Sequence, residues 1–323
     1  MKVLITGGAG YIGSHCNKVF AENGVDAFIV DDLTFGHREA VNWGKLIEED
    51  FSSDKVLNIL KSEKIDAIIH FAASADVEDS VKNPNRYYEN NVTKFIKLLD
   101  MMVSANVRYI IFSSSAAIFG EPEYIPIDES HPQKPINPYG TTKLIDEYIL
   151  KDYERCFGIK FASLRYFNAS GADPSCEIGE SHNPEHHLIP IMLSVALGKR
   201  DKLQIFGNDY NTKDGTPIRD FIHVTDLAEV HYLALKYVIE NNRSILLNLG
   251  SNEGYSVKEI VEIAEKVIGK KINWEYANRR AGDPATLVAS NKLAIETLNW
   301  KPKFSNIETI IKTAWDWENN RKY

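Results

Sequence analysis

Cysteine is scarce in this 323-residue chain: Cys16, Cys156 and Cys176 are the full complement, an odd number with no CxxC pair. That argues against a disulfide framework or a zinc ribbon, and the three read as reduced thiols of a cytoplasmic protein. Positive charge is also in short supply. Lys plus Arg total 37 against 45 Asp plus Glu, and the net charge of −8 disfavours a nucleic acid polymer or an anionic membrane as partner. A pocket for one small anion is still compatible with that balance. No stretch approaches the roughly 18 consecutive apolar residues of a membrane span. Met1 runs directly into a short apolar segment and then glycines, so no secretory leader is expected. Internal repeats and low-complexity tracts are absent from the sequence as well.

With 44% hydrophobic and 25% charged residues, the chain can bury a sizeable core, as one large or two modest domains. Val3, Leu4 and Ile5 form an apolar run ahead of Gly7, residues 12–23 have helical spacing, and 27–30 is again strand-like. The alternation continues with a predicted helix over 53–62, a strand over 67–71, a helix near 84–105 and a strand over 109–112. A helix over 139–157 and a strand over 161–166 follow. Strands that are apolar on both faces and alternate with helices predict an α/β fold, with a parallel sheet covered on both sides. Residues 120–138 carry five prolines and little periodicity, a long ordered loop of a kind more often functional than idle. Gly, Pro, Ser and Asn collect over 169–185, where a domain boundary is expected. Residues 307–317 read as an amphipathic terminal helix in which Trp315 and Trp317 pack.

Gly7, Gly10 and Gly13 form GGAGYIG between the first strand and the first helix, where glycine permits a tight turn and a close approach of a pyrophosphate to the helix N-terminus. Tyr11 and Ile12 belong to the same turn. A glycine triplet alone can also be a plain strand-to-helix connection. Asp31, at the end of the second strand, adds a carboxylate placed to accept hydrogen bonds from an adenosine ribose, with Asp32 beside it. Two carboxylates repel a 2′-phosphate, and Arg38 is the nearest arginine, so the pattern favours NAD over NADP. The architecture expected is then a Rossmann-type doubly wound parallel sheet in residues 1–170 that binds NAD. A smaller α/β substrate domain fills most of 171–323, with some segments returning to the first domain.

Tyr139 and Lys143 stand in YGTTK at i, i+4, which puts a phenol and an ammonium on one face of a helix. An exposed surface pair has the same spacing. Ser113, Ser114 and Ser115 end a strand at the edge where doubly wound sheets bind ligands, and they supply a third group. A phenol with a pKa near 10 needs about 4 kcal/mol to become a base near pH 7. One positive charge about 5 Å away supplies roughly 3 kcal/mol of that at an effective dielectric of 20.

A strand-end Ser, a Tyr and a Lys four residues on, behind an N-terminal glycine turn, resemble the extended short-chain dehydrogenases/reductases. Further blocks resemble the UDP-glucose 4-epimerase family within them: HFAA from His70, YYENNV from Tyr87, SSSAAIFG from Ser113 and LRYFNASGA from Leu164. IFGNDYNTKDGTPIRDFIHV from Ile205 and RRAGDPA from Arg279 extend the likeness over nearly the whole chain. The resemblance implies reversible inversion at C4 of a UDP-hexose, UDP-glucose and UDP-galactose, through a 4-keto intermediate and a retained NAD. Tyr139 would be the base, Ser115 would bond the C4 hydroxyl and Lys143 would hold the nicotinamide ribose. It also implies cofactor contacts at Asp50, Phe51, Phe71, Ala72, Ala73, Asn91, Ser113, Tyr166 and Phe167. On the sugar-nucleotide side it implies contacts at Asn168, His187, Leu188, Arg219, Arg280 and Asp283. The sequence departs from relatives at Ala75, where some carry Lys, at Ala117, where many carry Thr, and at His187, where some carry Asn. Leu287 stands where glucose-restricted relatives often carry Tyr, which makes UDP-N-acetylglucosamine an alternative substrate. The family also implies a homodimer built from the helices near 84–105 and 139–157.

Rival readings remain open at this level. A nucleotide-sugar dehydratase or decarboxylase shares the first oxidation, but its elimination needs a carboxylate where this chain has Ala117. A non-catalytic NAD sensor would not need Ser115, Tyr139 and Lys143. A metal hydrolase on His182, His186 and His187 is disfavoured because Pro184 interrupts the helical spacing, and no metal ligand set is expected.

Overall fold

Alternation inside the first strand sets the architecture. In the computed structural model, which describes residues 1–280 and 283–323, β1 (Lys2–Thr6) sends Val3 and Ile5 into one hydrophobic core and Leu4 into another. A strand apolar on both faces must be covered on both. Helix α1 (Tyr11–Glu22) lays Cys16 and Phe20 on the Val3/Ile5 face. After β2 (Asp26–Asp31) and β3 (Lys45–Glu48), helix α2 (Asp54–Ser62) turns Val56 and Leu60 to the other face and leads into β4 (Ala67–His70).

The single helix predicted near 84–105 is subdivided. Short helices α3 (Val77–Lys82) and α4 (Pro84–Tyr87) precede a π-type turn at Tyr88–Thr93, and only then does regular α5 (Lys94–Ala105) begin. Pro84 has no N–H to continue α3 but suits the first turn of a new helix. Within the wider turn Asn91 is buried, 1% exposed, and its side chain bonds both the N–H and the C=O of Ser74. A π-type turn of this kind often marks a functional site.

Strand β5 (Tyr109–Ser115) runs past its predicted end because Ser113, Ser114 and Ser115 stay in register with β6 (Lys160–Tyr166). Between them lies α6 (Pro138–Phe157). Downstream come β7 (Asn168–Ser170), α7 (Leu188–Ala196), β8 (Leu203–Phe206), β9 (Ile218–Arg219) and β10 (Phe221–His223). Then follow α8 (Val224–Asn241), β11 (Ile245–Leu249), β12 (Tyr255–Ser256) and α9 (Val257–Ile268). The chain closes with β13 (Trp274–Ala277), β14 (Thr286–Leu287), α10 (Lys292–Leu298) and α11 (Ile307–Asn319).

The main sheet is parallel and seven-stranded, in the order β11-β6-β5-β4-β1-β2-β3. Strand order reverses between β1 and β4, and the crevice beyond the carboxyl ends of those strands is where such sheets take ligands. Residues of α1, α8 and α10 cover one face and residues of α2, α5 and α6 the other. Thus α8 and β11 return to the large sheet from beyond residue 171. A third core, with Met192, Leu193, Ile205, Ile260, Ile310 and Ile311, holds the smaller unit together. Trp317 is 1% exposed and its Nε1 donates to the Glu180 carbonyl at 2.8 Å, so it packs and also ties down a loop. No helix among the described residues is long and apolar enough to cross a membrane. Ala281 and Gly282 of the RRAGDPA block lie outside the described residues.

Candidate active site

Six successive strand ends converge on the crevice. The β1 turn carries the three glycines, with Gly10 capping α1 and a Cβ on Gly13 falling only 2.2 Å from the Gly7 carbonyl oxygen. Any side chain at position 13 would therefore push the turn away from the helix. The first-turn N–H groups of α1, at Tyr11 and Ile12, lack intrahelical partners and face the crevice end with the positive end of the helix dipole. The Tyr11 hydroxyl itself is used elsewhere, donating to the Gly171 carbonyl at 2.6 Å.

At the end of β2, Asp31 is 8% exposed and accepts from Ala9 N–H and Leu33 N–H, each at 2.9 Å. Burial pushes its carboxyl above the ordinary value against those two bonds. Asp32 is exposed and accepts from Thr34 N–H at 2.9 Å. Arg38 forms an exposed ion pair with Glu48, so its charge is already matched. Beyond β3, Asp50 binds Lys94 at 2.6 Å while Phe51 is buried edge-on to His70. Strand β4 stops at His70, one residue before its predicted end. Phe71 and Ala72 turn away with both N–H groups on the Thr6 carbonyl, which brings Ala73 and Ser74 under Asn91.

The chemistry-bearing helix is aimed by its own first residues. Asn137 caps α6 by accepting from Gly140 N–H at 2.8 Å and Pro138 opens the first turn, so the helix begins one residue earlier than predicted and Tyr139 is its second residue. A Cβ on Gly140 would lie 2.4 Å from the Ala117 carbonyl oxygen, so only glycine lets α6 come this close to the turn after Ser115. The Ser115 hydroxyl accepts from Ala117 N–H at 3.2 Å. Burial raises the Tyr139 phenol, with the Ser115 hydroxyl opposing and the Asp146 charge adding to the rise. Lys143 is 2% exposed, donates to the Ser113 carbonyl at 2.8 Å and sits 4.8 Å from the Phe112 ring centroid. Burial lowers its pKa to about 8, with Asp146 opposing. Ser113 Oγ bonds the Tyr166 hydroxyl.

Sequence reasoning missed the groups that hold α6 in register. Glu147 is fully buried and takes Arg165 on both oxygens, Nε at 2.8 Å and the terminal nitrogen at 2.6 Å. Its Oε1 also accepts from Ser114 and Ser163, each at 2.7 Å. One carboxylate thereby joins α6 to β5 and β6 immediately beneath the reactive edge. A buried Glu in an amphipathic helix has no distinguishing pattern in sequence, and neither does Asp146, which is 1% exposed with Oδ1 unpaired.

On the far side of the crevice, Phe167 and Leu287 pack against a small cluster of Ala116, Ile118, Phe119, Ile127 and Leu144. Leu287 is opposite Arg219 in the β14–β9 pairing, and Arg219 pairs with Asp283. Asn168 donates to the Asp220 carbonyl at 2.7 Å. The proline-rich loop is fixed here, since Ile127 exchanges backbone bonds with Val288 and Ser290 at 2.8 Å each. Arg280 is exposed and stacks on Phe206 at 4.0 Å, and Leu188 opens α7 with His187 as its cap residue. His187 does not stand alone. Its Nδ1 meets Glu180, in a group with His182 and Glu185 that the sequence reading overlooked because it sought helical spacing.

The comparisons agree with this geometry. The family model described as NAD dependent epimerase/dehydratase matches residues 3–250. The UDP-glucose 4-epimerase of Streptococcus mutans is 50% identical over 324 residues, spanning 99% of this chain and 97% of its own. The UDP-glucose 4-epimerase of Brucella ovis, solved in complex with NAD, superposes with a TM-score of 0.95 at 45% identity over 98% of this chain and 97% of that one. The Campylobacter jejuni enzyme described as a UDP-Glc/GlcNAc 4-epimerase gives 0.85 at 42% identity over 99% of each chain. Likeness that runs from the glycine turn through the Ser, Tyr and Lys edge, at about half of all positions, is descent rather than a shared scaffold: the chain belongs to the NAD dependent epimerase/dehydratase family.

Proposed function

We propose that this protein interconverts UDP-glucose and UDP-galactose by inverting C4 of the hexose, with NAD as a retained cofactor. The observation that carries the reading is Ser115, Tyr139 and Lys143 meeting at the carboxyl edge of β5, beside the glycine turn of α1. The turn fits a dinucleotide because a Cβ at Gly13 would close it, and Arg38, the arginine nearest to Asp31 in sequence, is already paired to Glu48. Gly7, Gly10, Tyr11, Ile12 and Gly13 would hold the pyrophosphate, Asp31 and Asp32 the adenosine ribose, and Asp50 and Phe51 the adenine side. Phe71, Ala72, Ala73, Asn91, Ser113, Tyr166 and Phe167 would frame the remainder. Bound there, NAD supplies a reversible acceptor for the C4 hydride.

The chain's own work is proton transfer and orientation. Tyr139 takes the C4 hydroxyl proton on its phenol oxygen and gives it back after the ketone has presented its other face. Ser115 hydrogen-bonds that hydroxyl, and Lys143 holds the ribose next to it. Arg219 and Arg280 balance the diphosphate, while Asn168, His187, Leu188 and Asp283 contact the sugar nucleotide. Ala117 cannot shuttle a proton, which speaks against elimination chemistry.

A second substrate class follows from Leu287. Leu is smaller than Tyr, and Leu287 packs against the same small cluster as Phe167, which puts it at the wall of the sugar pocket and makes UDP-N-acetylglucosamine a weaker substrate. Pocket differences of this size are worth about 1–3 kcal/mol. The protein acts in the cytoplasm as a homodimer. Ile96 and Val103 on α5, with Tyr148 and Phe157 on α6, are large apolar side chains left exposed on the two helices that would form a four-helix interface.

The deciding experiment follows both UDP-hexose pairs by chromatography, without added NAD, using wild type and Leu287→Tyr. UDP-galactose should convert to UDP-glucose in both, and the acetylated pair should slow selectively in the variant. Protein that carries NAD yet inverts neither pair refutes the reading.

A further inference from the structure

The loop that leads into α7 folds back on itself so that four side chains meet. Glu180 is 4% exposed, and its Oε1 lies 2.5 Å from His187 Nδ1 and 3.4 Å from His182 Nδ1. Glu185 closes the ring, with Oε2 3.6 Å from His182 Nδ1 and Oε1 3.4 Å from His187 Nδ1. One donor atom from each residue falls within 4.8 Å of all the others. Glu180 Oε1, His182 Nδ1 and Glu185 Oε2 are buried with only one another and His187 as polar neighbours, and none of the three makes a hydrogen bond of good geometry. Buried polar atoms normally make hydrogen bonds of good geometry, and here two imidazoles and two carboxylates crowd together without that.

We propose that Glu180, His182, Glu185 and His187 form a structural site for a divalent transition metal of the zinc class. A tetrahedron of ligands about 2.0–2.1 Å from an ion has edges of roughly 3.3–3.4 Å, close to the 3.4 Å and 3.6 Å that separate His182 Nδ1 from Glu180 Oε1 and Glu185 Oε2, and the Glu180–His187 pair at 2.5 Å would open to admit the ion. Two imidazoles with two carboxylates suit zinc in preference to calcium or magnesium, which take oxygen alone. Four protein ligands leave no open position, so the ion would hold structure and carry no chemistry. Glu185 Oε1 also accepts from the N–H groups of His186 and His187 at 2.8 Å each, which fixes the carboxylate from behind. A cavity of about 170 Å³ lined by His182, Glu185, Lys199, Glu318 and Arg321 adjoins the group. His186 stands outside, with its Nε2 3.2 Å from Asp76.

The ion would staple three parts of the molecule. The Glu180 carbonyl accepts from Trp317 on α11, and His37 Nε2, after β2, meets the Ser181 carbonyl at 3.0 Å. Closing the loop would also set His187 and Leu188 at the head of α7.

The test uses full-length protein expressed without a histidine tag. After exposure to zinc and dialysis against metal-free buffer, mass spectrometry of the ashed protein should find one zinc per chain. Cobalt substitution should give the visible absorption of a tetrahedral site. Chelator should lower the Tm by roughly 5 °C, and zinc should restore it. His182→Ala and Glu185→Gln should lose the ion and the cobalt bands. Substoichiometric zinc in wild type, with no cobalt absorption and no response of the Tm, overturns the proposal and leaves two imidazolium–carboxylate pairs. Retention of the ion in both variants overturns it equally, because the ion is then bound elsewhere.

Discussion

Replacing Glu147 by Ala should be among the most damaging single changes outside the reacting groups, and its size follows from what it strands. Arg165 is 1% exposed and loses both of its bonds to the carboxylate, while Ser114 and Ser163 lose their acceptor. An unpaired buried guanidinium costs about 3–5 kcal/mol, and the two hydroxyls can rotate to recover part of their share. At about 2 °C per kcal/mol for a chain of this size, the Tm should fall by roughly 6–10 °C. Urea unfolding followed in parallel by circular dichroism and tryptophan fluorescence measures the loss, provided that the two probes coincide. The double variant Glu147→Leu with Arg165→Met removes both charges, and it should recover most of the stability. Turnover should fall further than binding, because α6 carries Tyr139 and Lys143 and a misplacement of 1 Å can cost about 100-fold. A loss below about 1 kcal/mol for the Ala variant, or a double variant no better than the single, would show that Glu147 does not hold the helix.

Tyr139→Phe should keep its fold and its NAD while losing most turnover, read by the UDP-galactose assay beside an absorbance scan for bound nucleotide. Gly140→Ala should cut turnover by at least about 10-fold with little change in helix content, because its Cβ meets the Ala117 carbonyl at 2.4 Å. Asp146→Asn should move the acidic limb of kcat to lower pH, since that charge raises the Tyr139 phenol; an unmoved limb dissociates Asp146 from the base. Stability should fall as the pH drops from about 6.5 towards 4. Burial holds His223 down to about 3 and His231 down to about 4, and His70 well below its ordinary value. The unfolded chain then binds those protons first, and each group removes up to about 1.4 kcal/mol per pH unit. His15 is likewise held down to about 4, whereas Asp220, raised to about 6, and Asp31, Glu129 and Asp146, also raised by burial, work in the opposite sense. The carboxylates that partners hold down against burial, Glu147 and Glu185 among them, add to the loss as the pH nears 4, so the balance is a net loss. Urea midpoints at pH 7 and pH 5 that coincide would contradict this balance.

The parts legible in the sequence are those with a local period or a fixed spacing. The βα alternation, the glycine turn and the Tyr/Lys pair are all of that kind, and β1, α1 and α6 lie within a residue or two of where pattern put them. The π-type turn at Tyr88–Thr93 was not legible, because it depends on Asn91 reaching Ser74 and Thr142, contacts that are distant along the chain. The apolar pattern of β5 stops at Phe112 with the three serines at its end, and register with β6 carries the strand through Ser115. Glu147 on α6 with Arg165 on β6, and Glu180 with His187 across a loop, are partners set by tertiary folding, since the members of neither pair share a helix or strand.

The electrostatics of Tyr139 show most clearly where spacing stops being a guide. The i, i+4 spacing predicts that Lys143 and the nicotinamide cation together lower the phenol pKa, one positive charge about 5 Å away supplying roughly 3 kcal/mol. In the folded chain that ammonium is bonded to the Ser113 carbonyl and faces Asp146, whose own carboxyl is pushed well above its ordinary value by burial. Among the chain's own groups only the Ser115 hydroxyl pulls the phenol down, while burial and Asp146 push it up. A helix places Cα atoms by spacing, but where a long side chain delivers its charge depends on which buried acceptor it finds. The protein by itself therefore holds Tyr139 as a neutral phenol at pH 7, and a base can arise only when further positive charge enters the crevice. On the proposed function, proton removal from the sugar would then be coupled to occupation of the dinucleotide site by a cation.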